Sequence, residues 1–166
     1  MPILKPDELD IISHSADQTR RMGARLGKLL RPGDVICLSG DMGAGKTVFV
    51  AGVGQGWGAI HTVTSPTYNL VHEHRRKEDR IRLYHLDCYR LERPSDADSI
   101  GLDDILEGDG IAIFEWPERI EKLLPSKRLW INFRVLDENR RNLIFQGNSP
   151  RYTDLISQFR ESAYGV

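Results

Sequence analysis

Residues 35–47 run Val35-Ile36-Cys37-Leu38-Ser39-Gly40-Asp41-Met42-Gly43-Ala44-Gly45-Lys46-Thr47. The first four residues are a continuous apolar run, which is typical of a buried central strand. The last eight have the spacing G-x-x-x-x-G-K-[ST] of a P-loop, also called a Walker A motif. A helix is expected to begin at about Lys46 and to end within the glycine-rich residues 52–58. A strand before the motif and a helix after it form the context in which a P-loop binds a nucleoside triphosphate.

The residue types of this loop suit a bound triphosphate. Its glycines allow backbone angles and close approaches that a Cβ would forbid. Successive backbone N–H groups can then surround an anion, with the positive end of the following helix dipole behind them. Lys46 is expected to contact the β- and γ-phosphates, and the Thr47 hydroxyl is a predicted Mg2+ ligand. The predicted nucleotide-binding residues of the loop are Asp41, Met42, Gly43, Ala44, Gly45, Lys46 and Thr47.

The remaining hydrophobic pattern predicts an α/β fold. A capping box from Ser15 to Gln18 opens a first helix, and residues 152–159 have the spacing of an amphipathic C-terminal helix. Further strands are expected at 9–13, 68–74, 81–86, 111–114, 129–135 and 142–146, with a loop at 62–66 and helical turns at 95–108. This order predicts a single domain over residues 1–166, a P-loop NTPase-like sandwich with a mixed, partly antiparallel β-sheet flanked by helices.

Composition excludes several classes of protein. The net charge of -1 provides no overall basic field that would hold nucleic acid by charge alone. No window approaches eighteen apolar residues, and the N-terminus lacks the pattern of a signal peptide, so a cytoplasmic protein without a membrane span is expected. The two cysteines, Cys37 and Cys88, lie in apolar runs and are expected to be buried thiols.

Two carboxylates are candidates for the second half of a hydrolytic site, which needs an acid near the bound metal. Glu115 follows the predicted buried strand 111–114 and could act through a metal-bound water or polarise the attacking water. Asp87 lies just past another predicted strand and could bind Mg2+ or orient a water. The alternatives are a solvated carboxylate for Glu115 and, for Asp87, an ion pair with Arg90 or another surface arginine.

Three further features leave both a functional and a structural interpretation open. The loop after the P-loop helix contains Thr64 and Thr67, either of which could contact Mg2+ or the γ-phosphate as in nucleotide switches, or simply open a strand. Trp116 follows Glu115 and could stack on a base or belong to the core. His85 is equally consistent with a structural and an active-site role.

Two charged segments have no assigned role. Residues 75–82 contain the basic run Arg75-Arg76-Lys77 with Arg80 and Arg82, which could touch RNA or an acidic protein, although a solvated hairpin tip is the preferred interpretation. The acidic residues 92–109 could dock a basic partner or form an ordinary solvated face.

Four motifs, taken in order, resemble the TsaE family, also called YjeE, of small bacterial ATPases in tRNA threonylcarbamoyladenosine synthesis. They are Gly40-Asp41-Met42-Gly43-Ala44-Gly45-Lys46-Thr47, Thr64-Ser65-Pro66-Thr67-Tyr68, His85-Leu86-Asp87-Cys88-Tyr89-Arg90 and Phe114-Glu115-Trp116-Pro117. The P-loop alone is generic, whereas the other three in this order are specific. The resemblance spans about residues 8–140 and departs mildly at Met42 and Cys88, where leucine is commoner.

The resemblance implies an ATPase that uses ATP and Mg2+ and serves a larger assembly. Members of the family work with TsaD, which installs the threonylcarbamoyl group on the adenosine next to the anticodon, and with TsaB, its dimer partner. ATP hydrolysis is expected to reset this complex between turnovers, so tRNA would be reached only indirectly.

The same resemblance implies roles for individual residues. Lys46, Asp87 and Glu115 would be catalytic, and Thr47, Asp87 and Glu115 would be the metal ligands. Thr67 would belong to a switch-like loop at the nucleotide, and Trp116 would lie beside the nucleotide.

Other functions remain open on sequence alone. A small-molecule kinase would need a lid arginine, for which Arg90 and Arg93 are candidates, and an acceptor site, which no motif marks. A nucleotide-gated binding module without catalysis would use the same loop. A GTPase is disfavoured because the guanine motif Asn-Lys-x-Asp is absent from the chain.

Overall fold

The computed structural model describes residues 5–64 and 70–164. Its strands are β1 (Glu8–Ser13), β2 (Val35–Gly40), β3 (Ala59–Thr64), β4 (Val71–Arg76), β5 (Leu83–Asp87), β6 (Ile111–Glu115), β7 (Leu129–Val135) and β8 (Arg141–Gly147). Its α-helices are α1 (Ala16–Gly27), α2 (Lys46–Trp57), α3 (Leu102–Glu107) and α4 (Pro150–Tyr164), with 3-10 helices at Pro94–Ile100 and Pro117–Leu123.

The strands form one mixed sheet in the order β1-β8-β7-β2-β6-β5-β4-β3. The four central strands, β7, β2, β6 and β5, are parallel to one another. Antiparallel pairs extend the sheet at both edges, through β8 and β1 on one side and through β4 and β3 on the other. The predicted mixed, partly antiparallel sheet is therefore confirmed, and the carboxyl ends of the central strands meet at one edge.

One predicted loop is partly wrong. Residues 62–66 were expected to be irregular, but Thr62, Val63 and Thr64 belong to β3, where they pair with β4. The pairing joins Thr62 to His74 and Thr64 to His72. Ladder pairing of this kind depends on partners eight to twelve residues away along the chain, so local turn signals do not reveal it. The remaining residues of that loop, 65 and 66, lie outside the described part of the chain.

The two faces of the sheet bury separate cores. Helices α1, α2 and α4 cover one face, and their core includes the fully buried side chains Leu26, Phe49, Val53 and Phe159. The other face is covered mainly by α3 and the two 3-10 helices, around a core that contains Cys37, Cys88 and Phe114. Both cysteines are free and buried, as predicted, and burial raises the pKa of each thiol to about 12.

Glycines in α2 allow α1 to pack directly against its backbone. A Cβ at Gly52 would clash with the carbonyl oxygen of Arg20, and one at Gly56 would clash with that of Ala24. The glycine-rich residues after the P-loop thus set the distance between the two helices. This close packing holds α2, whose first turn carries the P-loop lysine and threonine, against the rest of the domain.

Helix α4 closes the opposite end of β2. The Tyr152 hydroxyl accepts a hydrogen bond from the backbone N–H of Val35 at 2.9 Å. Arg151 donates to the buried Asp34 carboxylate at 2.6 and 2.8 Å. The C-terminal helix therefore anchors the strand that leads into the P-loop. Within residues 5–64 and 70–164, no helix has the length and apolar character needed to cross a lipid bilayer.

Candidate functional site

The P-loop lies at the carboxyl edge of the central strands, between Gly40 at the end of β2 and Lys46 at the start of α2. All three glycines of the loop have positive φ, and two of them also have a defined part in its packing or in the start of α2. Gly40 has φ of 129°, and a Cβ there would clash with the carbonyl oxygen of Phe133 on β7. Gly45 has φ of 98° and is the residue that precedes the first turn of α2. The loop therefore adopts a path that other residues would strain at these two positions.

Lys46 places a buried cation inside the loop. The residue is only 5% exposed, and its ammonium group donates to the carbonyl oxygen of Gly40 at 2.5 Å. The same nitrogen lies 3.7 Å from the centroid of the Trp116 ring. Burial lowers the pKa of Lys46, while the charge of Glu115 acts in the opposite direction. A cation in this setting favours an anionic ligand.

Glu115 ends β6 and is buried beside the P-loop. One carboxylate oxygen accepts a hydrogen bond from the Thr47 hydroxyl at 3.3 Å, and the other lies 2.5 Å from Nε2 of His85. Burial by itself raises the pKa of this carboxyl group. The hydrogen bond to His85, the charges of His85 and Lys46 and the Thr47 hydroxyl outweigh burial, so the pKa of Glu115 is lowered from 4.5. Glu115 is therefore ionised at neutral pH.

Asp87 ends β5 directly beside Glu115, because the two residues are partners in the parallel ladder between β5 and β6. Asp87 is only partly buried, and one of its carboxylate oxygens accepts the backbone N–H of Tyr89 at 3.0 Å. Among the described residues Asp87 makes no ion pair, and Arg90 is exposed. The ion pair with Arg90 considered as the alternative for Asp87 is therefore not formed in this structure.

Trp116 lies between the cleft and the second core. Its φ of 58° makes it the one residue other than glycine with a positive φ in the described part of the chain. This conformation turns the chain sharply after Glu115, and the ring packs against the second core. The ring also contacts Tyr89, with ring centroids 4.9 Å apart. Trp116 is thus half-buried and lines the cleft at the same time.

These residues surround a cleft of about 350 Å³. The lining residues that the sequence predicted are Met42, Gly43, Gly45, Lys46, Thr47, Asp87, Glu115 and Trp116. Two other predicted residues do not line it: Ala44 is buried, and Asp41 contributes a backbone carbonyl to the Ala44 N–H. Thr67 lies outside the described residues, and the side chain of Thr64 is not described either.

The sequence pattern does not predict three of the contacts near the cleft. His85 contacts Glu115. Strand alternation could have indicated this, because His85 lies two residues before Asp87 on β5 and therefore on the same face of the sheet. Tyr89 lines the cleft and contacts Trp116. Arg141 donates to the carbonyl oxygen of Gly43 at 3.2 Å. No local signal marks Arg141, because the pairing of β8 with β7 brings it there.

The donor set suits Mg2+ in the company of a triphosphate. Thr47, Asp87 and Glu115 offer hard oxygen atoms, which Mg2+ prefers, and Mg2+ usually takes only one or two carboxylates together with phosphates and water. Over 5–64 and 70–164, no group of three or more His, Cys, Asp and Glu side chains is placed to hold a metal ion by itself. A cation held by these oxygen atoms would take its remaining ligands from phosphate and water.

Comparison with known proteins finds one family. The family model for Threonylcarbamoyl adenosine biosynthesis protein TsaE matches residues 13–143. Relatives named tRNA threonylcarbamoyladenosine biosynthesis protein TsaE include one from Bacillus subtilis (strain 168), 34% identical over 142 residues, which are 86% of this chain and 87% of the relative. Another, from Treponema pallidum (strain Nichols), is 39% identical over 132 residues, which are 80% of this chain and 96% of the relative.

A solved structure agrees with these matches. The crystal structure of Bacillus subtilis YdiB has a TM-score of 0.77 to this chain at 28% sequence identity, and the alignment covers 98% of this chain and 99% of that one. The similarity extends over the whole mixed sheet and its helices. The predicted fold class, a P-loop NTPase-like α/β fold, is confirmed.

Proposed function

The chain belongs to the TsaE family of threonylcarbamoyl adenosine biosynthesis proteins, and on that premise we propose that it is a Mg2+-dependent ATPase of that pathway. In this proposal it binds and hydrolyses ATP in the cleft beside the P-loop. It acts with TsaB and TsaD and resets their complex between turnovers, and it does not itself transfer the threonylcarbamoyl group. It reaches tRNA only through the complex.

The observation that carries this proposal is the convergence of four side chains at the P-loop. Lys46 and Thr47 come from the first turn of α2, Glu115 from the end of β6 and Asp87 from the end of β5. Thr47 and Glu115 are directly hydrogen-bonded. A cation, a hydroxyl and two carboxylates at the mouth of a P-loop are the groups that phosphoryl transfer to water requires.

Lys46 and the loop would bind the phosphates. The ammonium group of Lys46 is buried, with the Gly40 carbonyl oxygen as its hydrogen-bond acceptor and the Trp116 ring beneath it. A cation in that position is electrostatically strong because the surrounding protein is less polarisable than water. It would neutralise charge that builds up on the β- and γ-phosphates as the bond between them breaks.

The carboxylates of Glu115 and Asp87 would have different roles in hydrolysis. Thr47 and Glu115, joined by their hydrogen bond, would hold the cation directly or through its water, and bound Mg2+ would neutralise phosphate charge. Asp87 is more exposed and has one carboxylate oxygen without a partner among the described residues. It would orient the attacking water, whose oxygen bonds to the γ-phosphorus as the bond to ADP breaks.

Partners are expected to accelerate hydrolysis. Of the described residues that line the cleft, Lys46 is the only cation. An arginine supplied by another protein stabilises the transition state in many P-loop enzymes and is worth about 10³–10⁵ in rate. We therefore expect feeble turnover by the isolated chain and faster turnover when TsaB and TsaD are present.

The test combines hydrolysis with association. Phosphate release from ATP is measured for the chain alone, with TsaB and TsaD together, and with each partner singly. A pull-down with both partners, in the presence and absence of ATP, measures complex formation. No association in either condition would refute the assignment to a complex, and association without any change in hydrolysis would refute activation by partners.

A further inference from the structure

His85 is held against Glu115 by close and buried contacts. Its Nε2 lies 2.5 Å from one oxygen of the Glu115 carboxylate, and the two side chains are 14% and 7% exposed. The other oxygen of that carboxylate accepts from Thr47. Each carboxylate oxygen therefore has one side-chain partner, and the two contacts together fix the rotation of the carboxylate plane.

A second imidazole lies near that of His85. The His72 ring on the neighbouring strand β4 lies 5.9 Å away, centroid to centroid, and His72 and His85 are partners in the antiparallel ladder. His85 and Thr47 also line a second cavity of about 480 Å³, which His72 shares. Thr47 therefore lines both cavities, with His85 lining the second cavity and Glu115 lining the cleft beside the P-loop.

We propose that His85 is a positioning residue that orients Glu115 toward the Thr47 hydroxyl and the cation that accompanies the nucleotide. The proposal rests on the proposed function, because it assigns Glu115 to the metal side of the ATPase site. His85 touches neither the nucleotide nor the cation and acts only through Glu115.

The chemistry of the contact fixes which atom donates. A glutamate carboxylate accepts hydrogen bonds and has no hydrogen to donate. Nε2 of His85 must therefore carry a hydrogen and donate it. A donor in this outer position holds a carboxylate ligand in one orientation, and removal of such partners typically lowers metal affinity or activity about 10- to 100-fold.

Glutamine and asparagine distinguish this role from a general structural one. The amide nitrogen of glutamine can occupy the place of the histidine Nε2, whereas the shorter asparagine matches Nδ1 and falls short of Glu115. We expect His85→Gln to retain the positioning and His85→Asn and His85→Ala to lose it. His14 is exposed and far from the cleft in sequence, so His14→Ala is the matched control.

The main measurement is the binding of ADP as a function of Mg2+ concentration, followed by calorimetry. Mg2+ is expected to raise the affinity for ADP, and the Mg2+ concentration that gives half of this rise is the quantity compared. In His85→Ala we expect that concentration to be about 10-fold higher, which is the lower end of the range for outer partners of a metal site. ADP affinity without Mg2+ should stay close to that of the wild type. His85→Gln and His14→Ala should follow the wild type, and thermal melting confirms that every variant is folded.

A double-mutant cycle identifies the route of the effect. If His85 acts through Glu115, removal of His85 should have little further effect on the Mg2+ dependence of a Glu115→Gln chain. An additive loss in the double variant, or a wild-type Mg2+ dependence in His85→Ala, would overturn the proposal, as would an equal loss in His85→Gln and His85→Asn.

The outcomes separate this proposal from the function on which it rests. If the wild type binds ADP with Mg2+ but hydrolyses no ATP, even with TsaB and TsaD, the ATPase proposal fails while the binding titrations still decide the role of His85. If the wild type hydrolyses ATP and the His85 variants show no change, the role of His85 fails alone. Absence of any Mg2+-dependent nucleotide binding in the wild type would refute both.

Discussion

The carboxyl ends of β6 and β5 place two acids side by side in very different surroundings. Glu115 is 5% exposed, and each of its oxygens has a side-chain partner. Asp87, its ladder partner, is partly exposed and accepts one backbone N–H from Tyr89. Both residues lie at the mouth of the same cleft.

Strand register alone therefore does not determine the role of each carboxylate. Register brings both to the P-loop, because parallel strands end at the same edge of the sheet. Burial and hydrogen bonding then make Glu115 a preorganised group with little freedom to move. Asp87 lines the cleft and has one carboxylate oxygen without a hydrogen-bond partner among the described residues. These different surroundings support the proposed roles, with Glu115 at the cation and Asp87 at the attacking water.

The largest effect is expected from Glu115→Gln, which keeps the shape of the side chain and removes its charge. We expect hydrolysis to fall about 100- to 1,000-fold, as when one preorganised electrostatic group is removed from an active site. Binding of ATP should persist because Lys46 and the loop are unchanged. Steady-state phosphate release in the presence of TsaB and TsaD measures the rate, and calorimetry measures binding.

Glu107→Gln provides the matched control for Glu115, because Glu107 is an exposed residue of α3. It should hydrolyse ATP at the wild-type rate. An unchanged rate in Glu115→Gln would mean that Glu115 has no catalytic role, and the chain would then be a nucleotide-gated binding module.

A smaller effect is expected from Asp87→Asn. Because we propose that Asp87 orients the attacking water and does not hold the cation, we expect hydrolysis to fall about 10- to 100-fold while the Mg2+ dependence of ADP binding is retained. Glu115→Gln should need a higher Mg2+ concentration for the same gain in ADP affinity. Comparing the two variants in the same titration therefore tests the division of roles directly.

Asp103→Asn, an exposed acid in the first turn of α3, is the control for Asp87. A reversed pattern, in which Asp87→Asn needs the higher Mg2+ concentration and Glu115→Gln keeps the wild-type dependence, would exchange the two assignments.

Local sequence patterns predicted the parts of the site that are determined locally. The apolar run before Gly40, the P-loop and the strand before Glu115 each follow from short segments, and each lies where it was predicted. The placement of both acids at strand ends was likewise predictable, because each follows an apolar run. These features depend on burial and backbone angles within a few residues.

Other features depend on contacts between distant segments. Pairing with β4 makes residues 62–64 a strand, and pairing of β8 with β7 brings Arg141 to Gly43. The unequal burial of Glu115 and Asp87 depends on the order of strands in the sheet, which no local signal specifies. The sequence alone does not decide between a structural and an active-site role for His85, because its contact with Glu115 joins residues 30 positions apart.

A third prediction concerns the aromatic residue that follows Glu115. The Trp116 ring lies under the Lys46 ammonium group and against Tyr89 on the Asp87 side. A contact between a cation and a ring is worth about 0.5–1 kcal/mol at exposed sites and about 2 kcal/mol or more when desolvated, and we take about 1 kcal/mol here because Trp116 is only half-buried. Trp116→Ala should therefore weaken ATP binding about fivefold, the change in equilibrium that corresponds to about 1 kcal/mol, and Trp116→Phe should weaken it less.

Trp130→Phe is the control for Trp116, because Trp130 is a half-buried tryptophan that stacks with Arg128. It should bind ATP as the wild type does. Equal losses in Trp116→Ala and Trp116→Phe would show that the ring face contributes nothing at Lys46.

The smallest effect is expected in the pH dependence of folding, through the carboxyl group of Glu115. Its pKa is lowered from 4.5 because His85, Lys46 and Thr47 outweigh its burial. A lowered pKa means that the unfolded chain binds more protons, so the stabilisation is fully present above the unfolded pKa and is lost as pH falls through the folded one. Urea unfolding of the wild type and of Glu115→Gln between about pH 7 and pH 3 measures this contribution to the free energy of unfolding.

The free energy of unfolding of the wild type should fall relative to that of Glu115→Gln below about pH 4.5. Glu107→Gln removes a carboxylate but none of these contacts, so its free energy of unfolding should follow that of the wild type. A constant difference between wild type and Glu115→Gln would mean that the buried carboxylate gains nothing from its three neighbours, and the contrast with Asp87 would then rest on exposure alone.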